Sequence, residues 1–243
     1  MYALFKKEIG SFLSSLIGYL VMGVFLLITG LFLWVLPTDF NILDYGFASL
    51  DGLFIIAPYV FLFLVPAITM RSFAEEQRLG TMEWLLTKPL TDLQLILGKY
   101  LASFVLVVLS LLPTLVYYFS VYRLGLPVGN LDSGGAAGSF IGLLFLSATF
   151  VAIGIFSSSI TDNQLVAFIL AVVLSGFMFI GFDLIYSLSL FGPLDLMIQQ
   201  LGIEAHYRSI SRGVIDTRDL LYFMSLIVFF LGLTKLTVSS RKW

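Results

Sequence analysis

Six stretches of this chain are each apolar, nearly free of charge and long enough to cross a bilayer: about Leu16–Leu36, Leu53–Met70, Tyr100–Tyr122, Ser139–Ser159, Gln164–Ser187 and Leu220–Val238. A spanning helix needs roughly 20 mostly apolar residues. Lipid offers no hydrogen-bonding partners, so a segment inside it must pair its own backbone groups, and a helix does so within one segment. Composition agrees. The 243 residues are 59% hydrophobic and 12% charged, whereas soluble domains carry about a quarter charged residues. So much apolar surface cannot be hidden in one core, and lipid must solvate part of it. The first run is read as a retained helix, because it is too long for a signal-peptide core and ends in Leu36-Pro37-Thr38-Asp39 without a small-residue cleavage pattern.

The chain has no cysteine, which excludes disulfides, thiolate metal sites and cysteine nucleophiles. Its 13 scattered basic residues offer no electrostatic footing for nucleic acid. Six spans put both termini on one side, with Lys6, Lys7, Arg71, Arg78, Lys88, Lys99, Lys235, Arg241 and Lys242. The other side holds Arg123, Arg208, Arg212 and Arg218. That asymmetry places both termini in the cytoplasm, although an interruption of any one span would reverse half of the topology.

Phe5, Ile9, Phe12 and Leu16 recur at helical spacing, while Lys6, Lys7, Glu8 and Ser11 face elsewhere. The pattern predicts a short amphipathic helix in the headgroup layer; the other reading is a frayed tail extending the first span.

Between the second and third spans lies a polar island, Arg71–Lys99. Ser72 with Glu75, and Thr91 with Gln94, have capping-box spacing. Pro89 cannot continue a helix and restricts Lys88 before it. The expectation is a helix from about Phe73 to Leu86, with a possible break at Gly80, then a turn, then a second helix from Asp92 into the third span. Met82, Trp84, Leu85 and Leu86 form an apolar ridge among acids. The ridge either packs back on the protein's own helix ends and the headgroups, or inserts into a groove on a cytoplasmic partner.

The wording of this loop resembles a known family. Glu76…Gly80-Thr81-Met82-Glu83-Trp84-Leu85-Leu86-Thr87-Lys88-Pro89-Leu90, followed by Gly98-Lys99, is similar to the central loop of ABC type-2 transporter permeases. Phe5-Lys6-Lys7-Glu8-Ile9 resembles that family's leading helix, and Gly154…Ser157-Ser158-Ser159 with Asn163-Gln164 resembles its fourth-span run. The last outer loop, from His206 to Leu220, looks like that of the permeases tied to bacterial gliding motility (the GldF type).

The resemblance implies a permease subunit in the bacterial cytoplasmic (inner) membrane, of exporter type, which binds no cofactor and is not itself an enzyme. A separate ABC ATPase dimer, holding ATP and magnesium, would couple through Glu76, Gly80, Thr81, Glu83, Trp84, Leu85, Leu86 and Pro89. Phe5, Lys6, Lys7, Ile9 and Phe12 would form the interfacial helix against membrane lipid. A second permease chain, of the same or a different gene, would pair with this one. The sequence agrees that ATP is handled elsewhere. A phosphate-binding loop needs a Gly-rich turn ending in Gly-Lys-Ser/Thr; the one candidate, Gly98-Lys99, is followed by Tyr100 and has no glycine five residues before Gly98.

Other residues have plainer readings. His206 is the only histidine, so neither a histidine pair for a metal nor a Ser/His relay elsewhere can be assembled; it reads as an interfacial loop residue. Asp183 lies four residues from Ser187 and reads as a boundary residue rather than an ion-coupling one. Ala148 with Ala152, Ala167, Ala171 and Ser175, and Gly138 with Gly142, recur every four residues, a spacing that lets helices approach closely. Pro58, Pro66 and Pro113 should bend the second and third spans. In the last outer loop, Pro193 opens a short helix with Leu194, Met197, Ile198 and Leu201 on one face, Gly202 stops it, and a second runs from about Ile203 to Arg212. Asp216 and Asp219 would cap the sixth span.

The expected architecture is an all-α membrane protein. A single domain, 1–243, has six transmembrane helices, an N-terminal amphipathic interfacial helix, a cytoplasmic coupling-helix loop at 71–99 and short helices in the last extracytoplasmic loop. Two functional classes remain: a transporter permease driven by an external ATPase, or a membrane anchor or mechanical-coupling subunit that recruits an ATPase without moving a substrate. An ion-coupled carrier would need polar residues in mid-span, and the spans are nearly free of them.

Overall fold

Backbone pairing inside lipid favours helix over every open alternative, and no strand occurs among the described residues. A computed structural model describes residues 1–44, 46–81, 91–189, 192–213 and 216–240, without the side chains of Ile17 and Pro193. Helix α1 (Tyr2–Leu13) is followed by α2 (Leu16–Trp34), which Ser15 caps by accepting the Gly18 N–H. Helix α3 (Asp51–Thr69) continues as one helix through Pro58 and Pro66, and a turn leads to the short α4 (Ala74–Arg78). Helix α5 (Asp92–Leu111) passes through a 3-10 turn at Leu112–Thr114, where Pro113 lies, into α6 (Leu115–Leu124).

The longest helix is α7 (Ser133–Ile160). After it, α8 (Gln164–Gly176) and α9 (Phe182–Ser187) are joined by a π-helical segment, Phe177–Gly181. Two short helices, α10 (Asp195–Gln199) and α11 (Ile203–Ile210), precede the final α12 (Thr217–Ser240).

Among the described residues five helical runs are long and apolar enough to cross a membrane: Asp51–Arg78, Asp92–Leu124, Ser133–Ile160, Gln164–Ser187 and Thr217–Ser240. A sixth is added when Tyr2–Leu13 and Gly18–Trp34, bent by 66° from each other, count as one span. The chain is thus an all-α membrane protein with five or six candidate spans. The bend sets α1 off from the span direction, as a helix lying along a membrane surface requires.

Helix α7 is the hub, packing against α3, α5, α8, α11 and α12. Its Leu143, Leu146, Phe150 and Ile153 are fully buried. Small residues permit the closest approaches. Ala148, Ala152, Ala167, Ala171 and Ser175 are all buried, and α7 and α8 pack on each other. At Gly154 a Cβ would sit 2.8 Å from the Cβ of Thr69, so α3 and α7 touch there without room for any side chain. Gly138 and Gly142 take a different neighbour: they receive Gly213, Ile210 and Tyr207 of the last loop rather than another span. By contrast α8 and α12 leave broad apolar faces open, including Ile169, Val173, Val228 and Phe229, as lipid-facing helices do.

Candidate functional site

The ends of α1, α3, α5, α7 and α12 meet at the end of the bundle that carries the 71–99 loop. Lys99 belongs to α5, a helix started by a complete Thr91/Gln94 capping box. Its side chain is 1% exposed. Burying an ammonium costs several kcal/mol unless its charge and donors are matched, and three oxygens surround this one: Glu76 Oε2 at 2.9 Å, Glu8 Oε1 at 3.2 Å and the Ser72 carbonyl. An ammonium has three N–H donors, so oxygens and donors balance in number; the Glu76 contact is an ion pair rather than an aligned hydrogen bond. The Phe73 ring lies beneath, its centroid 5.2 Å from Nζ. Lys7 adds an outer cation 3.5 Å from both Glu8 and Glu76. Partial burial alone would lower the Lys7 pKa, but the two carboxylates outweigh it and hold the pKa above its ordinary value.

Three chain segments that sequence order keeps far apart therefore share one ionic cluster: α1 through Lys7 and Glu8, α4 through Glu76, and α5 through Lys99. The expectation for α1 changes accordingly. Lys7 and Glu8, read as facing away, are the residues that bind it to the body. Leu4 is the buried apolar anchor, and it packs so closely on Gly98 that a Cβ there would lie 3.1 Å from its side chain. Phe5, Ile9 and Phe12 are half-buried, and Lys6 is exposed.

Helix α4 is docked by a group no local pattern could show. The Ser158 hydroxyl, at the end of α7, accepts the N–H of Phe73 (3.0 Å) and of Ala74 (3.1 Å) and donates to the Met70 carbonyl. It holds two amides at the N-terminus of α4, a helix with no side-chain cap of its own. The local box does not form because both amides it would cap have backbone partners: the Ser72 N–H donates to the Thr69 carbonyl and the Glu75 N–H to the Arg71 carbonyl. Gln77 adds a hydrogen bond to the Ser159 carbonyl, and the Ser159 hydroxyl meets that of Thr237 on α12.

Of the residues expected to couple, Glu76 lies in the cluster. Gly80 takes φ +67°, the left-handed conformation that ends a helix, and α4 closes just before it, at the break expected there. Thr81 is exposed and donates to the Glu76 carbonyl. Glu83, Trp84, Leu85, Leu86 and Pro89 lie outside the described residues.

At the opposite end α11 braces α3. The buried Tyr207 hydroxyl donates to the Phe54 carbonyl at 2.7 Å, and burial pushes that phenol well above its ordinary pKa. His206 stacks on Tyr222 with centroids 3.8 Å apart, and its ring nitrogens meet Asp219 (2.6 Å) and the Gln200 carbonyl (2.9 Å). Asp219 is thus committed to His206, while Asp216 accepts the backbone N–H of Arg218 at the start of α12. Asp183 accepts from Gln199 at 3.0 Å, an α9–α10 tie. Leu194, Met197 and Leu201 are exposed. No group of three or more His, Asp or Glu residues able to hold a metal occurs among the described residues.

A family model described as "ABC-2 family transporter protein" matches residues 36–233. No curated protein matches the chain. Members of this family are membrane transport components, not themselves catalytic ATPases, and they generally work with an ABC ATPase. The match covers most of the chain and agrees with the multiple apolar helices, so this protein belongs to the ABC-2 transporter family and is a multi-pass membrane permease subunit of an ABC transporter.

Proposed function

We propose that the 71–99 loop is the surface through which a separate ABC ATPase drives this permease. In this reading the loop and both termini face the cytoplasm, and the complex sits in a bacterial inner membrane. An ATPase dimer carries ATP and magnesium, and a second permease chain completes the pathway. The exporter direction and the link to gliding motility rest on the resemblance of the loop from His206 to Leu220.

The observation that supports coupling is the ionic cluster of Lys99 with Glu76 and Glu8. A loop attached only at its two ends would absorb a push from a partner. This loop is clamped at its start to α1, α5 and α7 through buried polar contacts, so displacement of α4 displaces the spans with it. The physical content is a lever: the partner holds the apolar ridge, and α4 carries the motion inward.

The test is capture of the cognate ATPase from detergent by the full-length permease. The double variant Trp84→Ala, Leu85→Ala should insert normally but recover several-fold less ATPase. Equal recovery by the two proteins would refute the docking assignment. Vesicle transport assays on the assembled complex then separate a transporter from an anchor that recruits the ATPase without moving cargo.

A further inference from the structure

Beside the ionic cluster, between α1, the end of α3 and α5, lies an open cleft of about 430 Å³. Its charged lining divides in two. Lys7, Glu8, Glu76 and Lys99 are matched to one another. Among the described residues Arg71 and Glu75 make no ion pair, and the buried Nε of Arg71 has no hydrogen-bond acceptor. Arg71 lines the cleft with no ion-pair partner among the described residues, so a ligand oxygen there would give its guanidinium the anionic partner it lacks. Phe12, Ile68 and Leu106 add an apolar part to the lining. Because α1 bends away from α2 by 66°, the cleft opens where a span meets a surface-lying helix, at headgroup depth.

We propose that this cleft binds the headgroup of an ethanolamine phospholipid. The phosphate lies on Arg71, whose planar fork of donors suits phosphate oxygens. The primary ammonium reaches Glu75, and the first part of an acyl chain lies along Phe12, Ile68 and Leu106. Charge complementarity selects this headgroup among phospholipids. Among the described residues the cleft offers one unmatched cation and one unmatched anion, so an anionic glycerol headgroup leaves Glu75 unanswered. A choline headgroup has no N–H to give the carboxylate. The site needs no ATPase, so its failure leaves the coupling assignment standing, and failed ATPase capture leaves this site standing.

The experiment is native mass spectrometry of the full-length, delipidated protein in detergent. It is titrated with phosphatidylethanolamine, phosphatidylglycerol and phosphatidylcholine of identical chains, and separately with soluble O-phosphoethanolamine. Wild type should bind the ethanolamine lipid most tightly. Arg71→Gln should weaken it about ten-fold, the scale of a lost charge-assisted contact. Glu75→Gln should remove the preference over phosphatidylglycerol, with phosphatidylglycerol bound at least as tightly as by wild type. Arg218→Gln, at the far end of the bundle, should change nothing. Equal lipid binding by wild type and Arg71→Gln overturns the site, as does equal binding of the three lipids by wild type. Binding of O-phosphoethanolamine as tight as that of the lipid overturns the lipid source.

Discussion

Lys99 Nζ lies 2.9 Å from Glu76 Oε2, which joins the start of the third span to the short helix that follows the second. This pair, with Glu8 added from the N-terminal helix, makes three segments one mechanical unit. Its burial makes it sensitive to loss of either sign.

Replacing Lys99 with Met leaves Glu76 and Glu8 with the exposed Lys7 as their remaining ion-pair partner among the described residues. Removing one partner of a buried pair typically costs about 3–5 kcal/mol, and the partial exposure of Glu8 and the presence of Lys7 put the expected loss at the low end, about 3 kcal/mol. Thermal unfolding in detergent should show a lower melting temperature for Lys99→Met. Lys99→Met with Glu76→Gln should recover part of the loss. If the single and double variants melt together, the pair does not stabilise the protein.

Lys7 should behave oppositely. Its side chain is 59% exposed, and exposed pairs contribute about 0–1 kcal/mol. Its folded-state pKa is raised above 10.5 by Glu8 and Glu76 after they overcome partial burial. A raised cation pKa gives stability that is fully present below the unfolded value and lost as pH rises through the folded value. Lys7→Gln should therefore lower the melting temperature slightly, and by the same amount at every pH from about 6 to 9, where the amine stays charged in both states. A difference that grows or shrinks across that interval contradicts the assignment.

Ser158→Ala removes the acceptor of two buried amides, Phe73 and Ala74, and the donor to Met70. An unsatisfied buried group costs about 1–3 kcal/mol, and the cost here falls on α4. Hydrogen–deuterium exchange should quicken over residues 73–78 while the centre of α7 keeps its protection. Uniform loss of protection would mean that Ser158 supports the whole bundle rather than the docking of α4.

At Gly154 a methyl group would meet Thr69 Oγ1 and Cβ at distances no packed carbon adopts. Gly154→Ala should destabilise by about 1–3 kcal/mol, the usual cost of overpacking, as a lowered melting temperature. Adding Thr69→Ala, which removes the nearest atom, should return part of it. An unchanged melting temperature for the single variant would show that α3 and α7 can separate freely.

Much of the architecture is legible in single residues and short windows. The expected spans 100–122 and 139–159 lie inside Asp92–Leu124 and Ser133–Ile160, and Thr91 with Gln94 forms the box its spacing announces. The first expected span, 16–36, lies on α2 (Leu16–Trp34), 19 mostly apolar residues without a charge. The same spacing at Ser72 and Glu75 does not form a box, because the backbone carbonyls of Thr69 and Arg71 already take the two amides it would cap. The N-terminal helix is legible as a helix but not in its facing: Leu4 and Glu8, not Phe5 and Lys6, make its closest attachments. The Gly80 turn and the glycine stripe at 138 and 142 are visible as glycines, while their neighbours are not.

The division has a physical cause. A membrane-spanning helix satisfies its backbone within itself and meets lipid through its own side chains, so about twenty consecutive residues carry all the information needed to specify it. Class, approximate boundaries and the polar interruption at 71–99 were determined at that range. A buried ammonium, by contrast, is tolerable only when acceptors arrive from elsewhere: Glu8 lies 91 residues from Lys99, and Ser158 lies 85 from the amide of Phe73. Those pairings depend on which helix ends meet, and only the packing of α1, α4, α5 and α7 decided that.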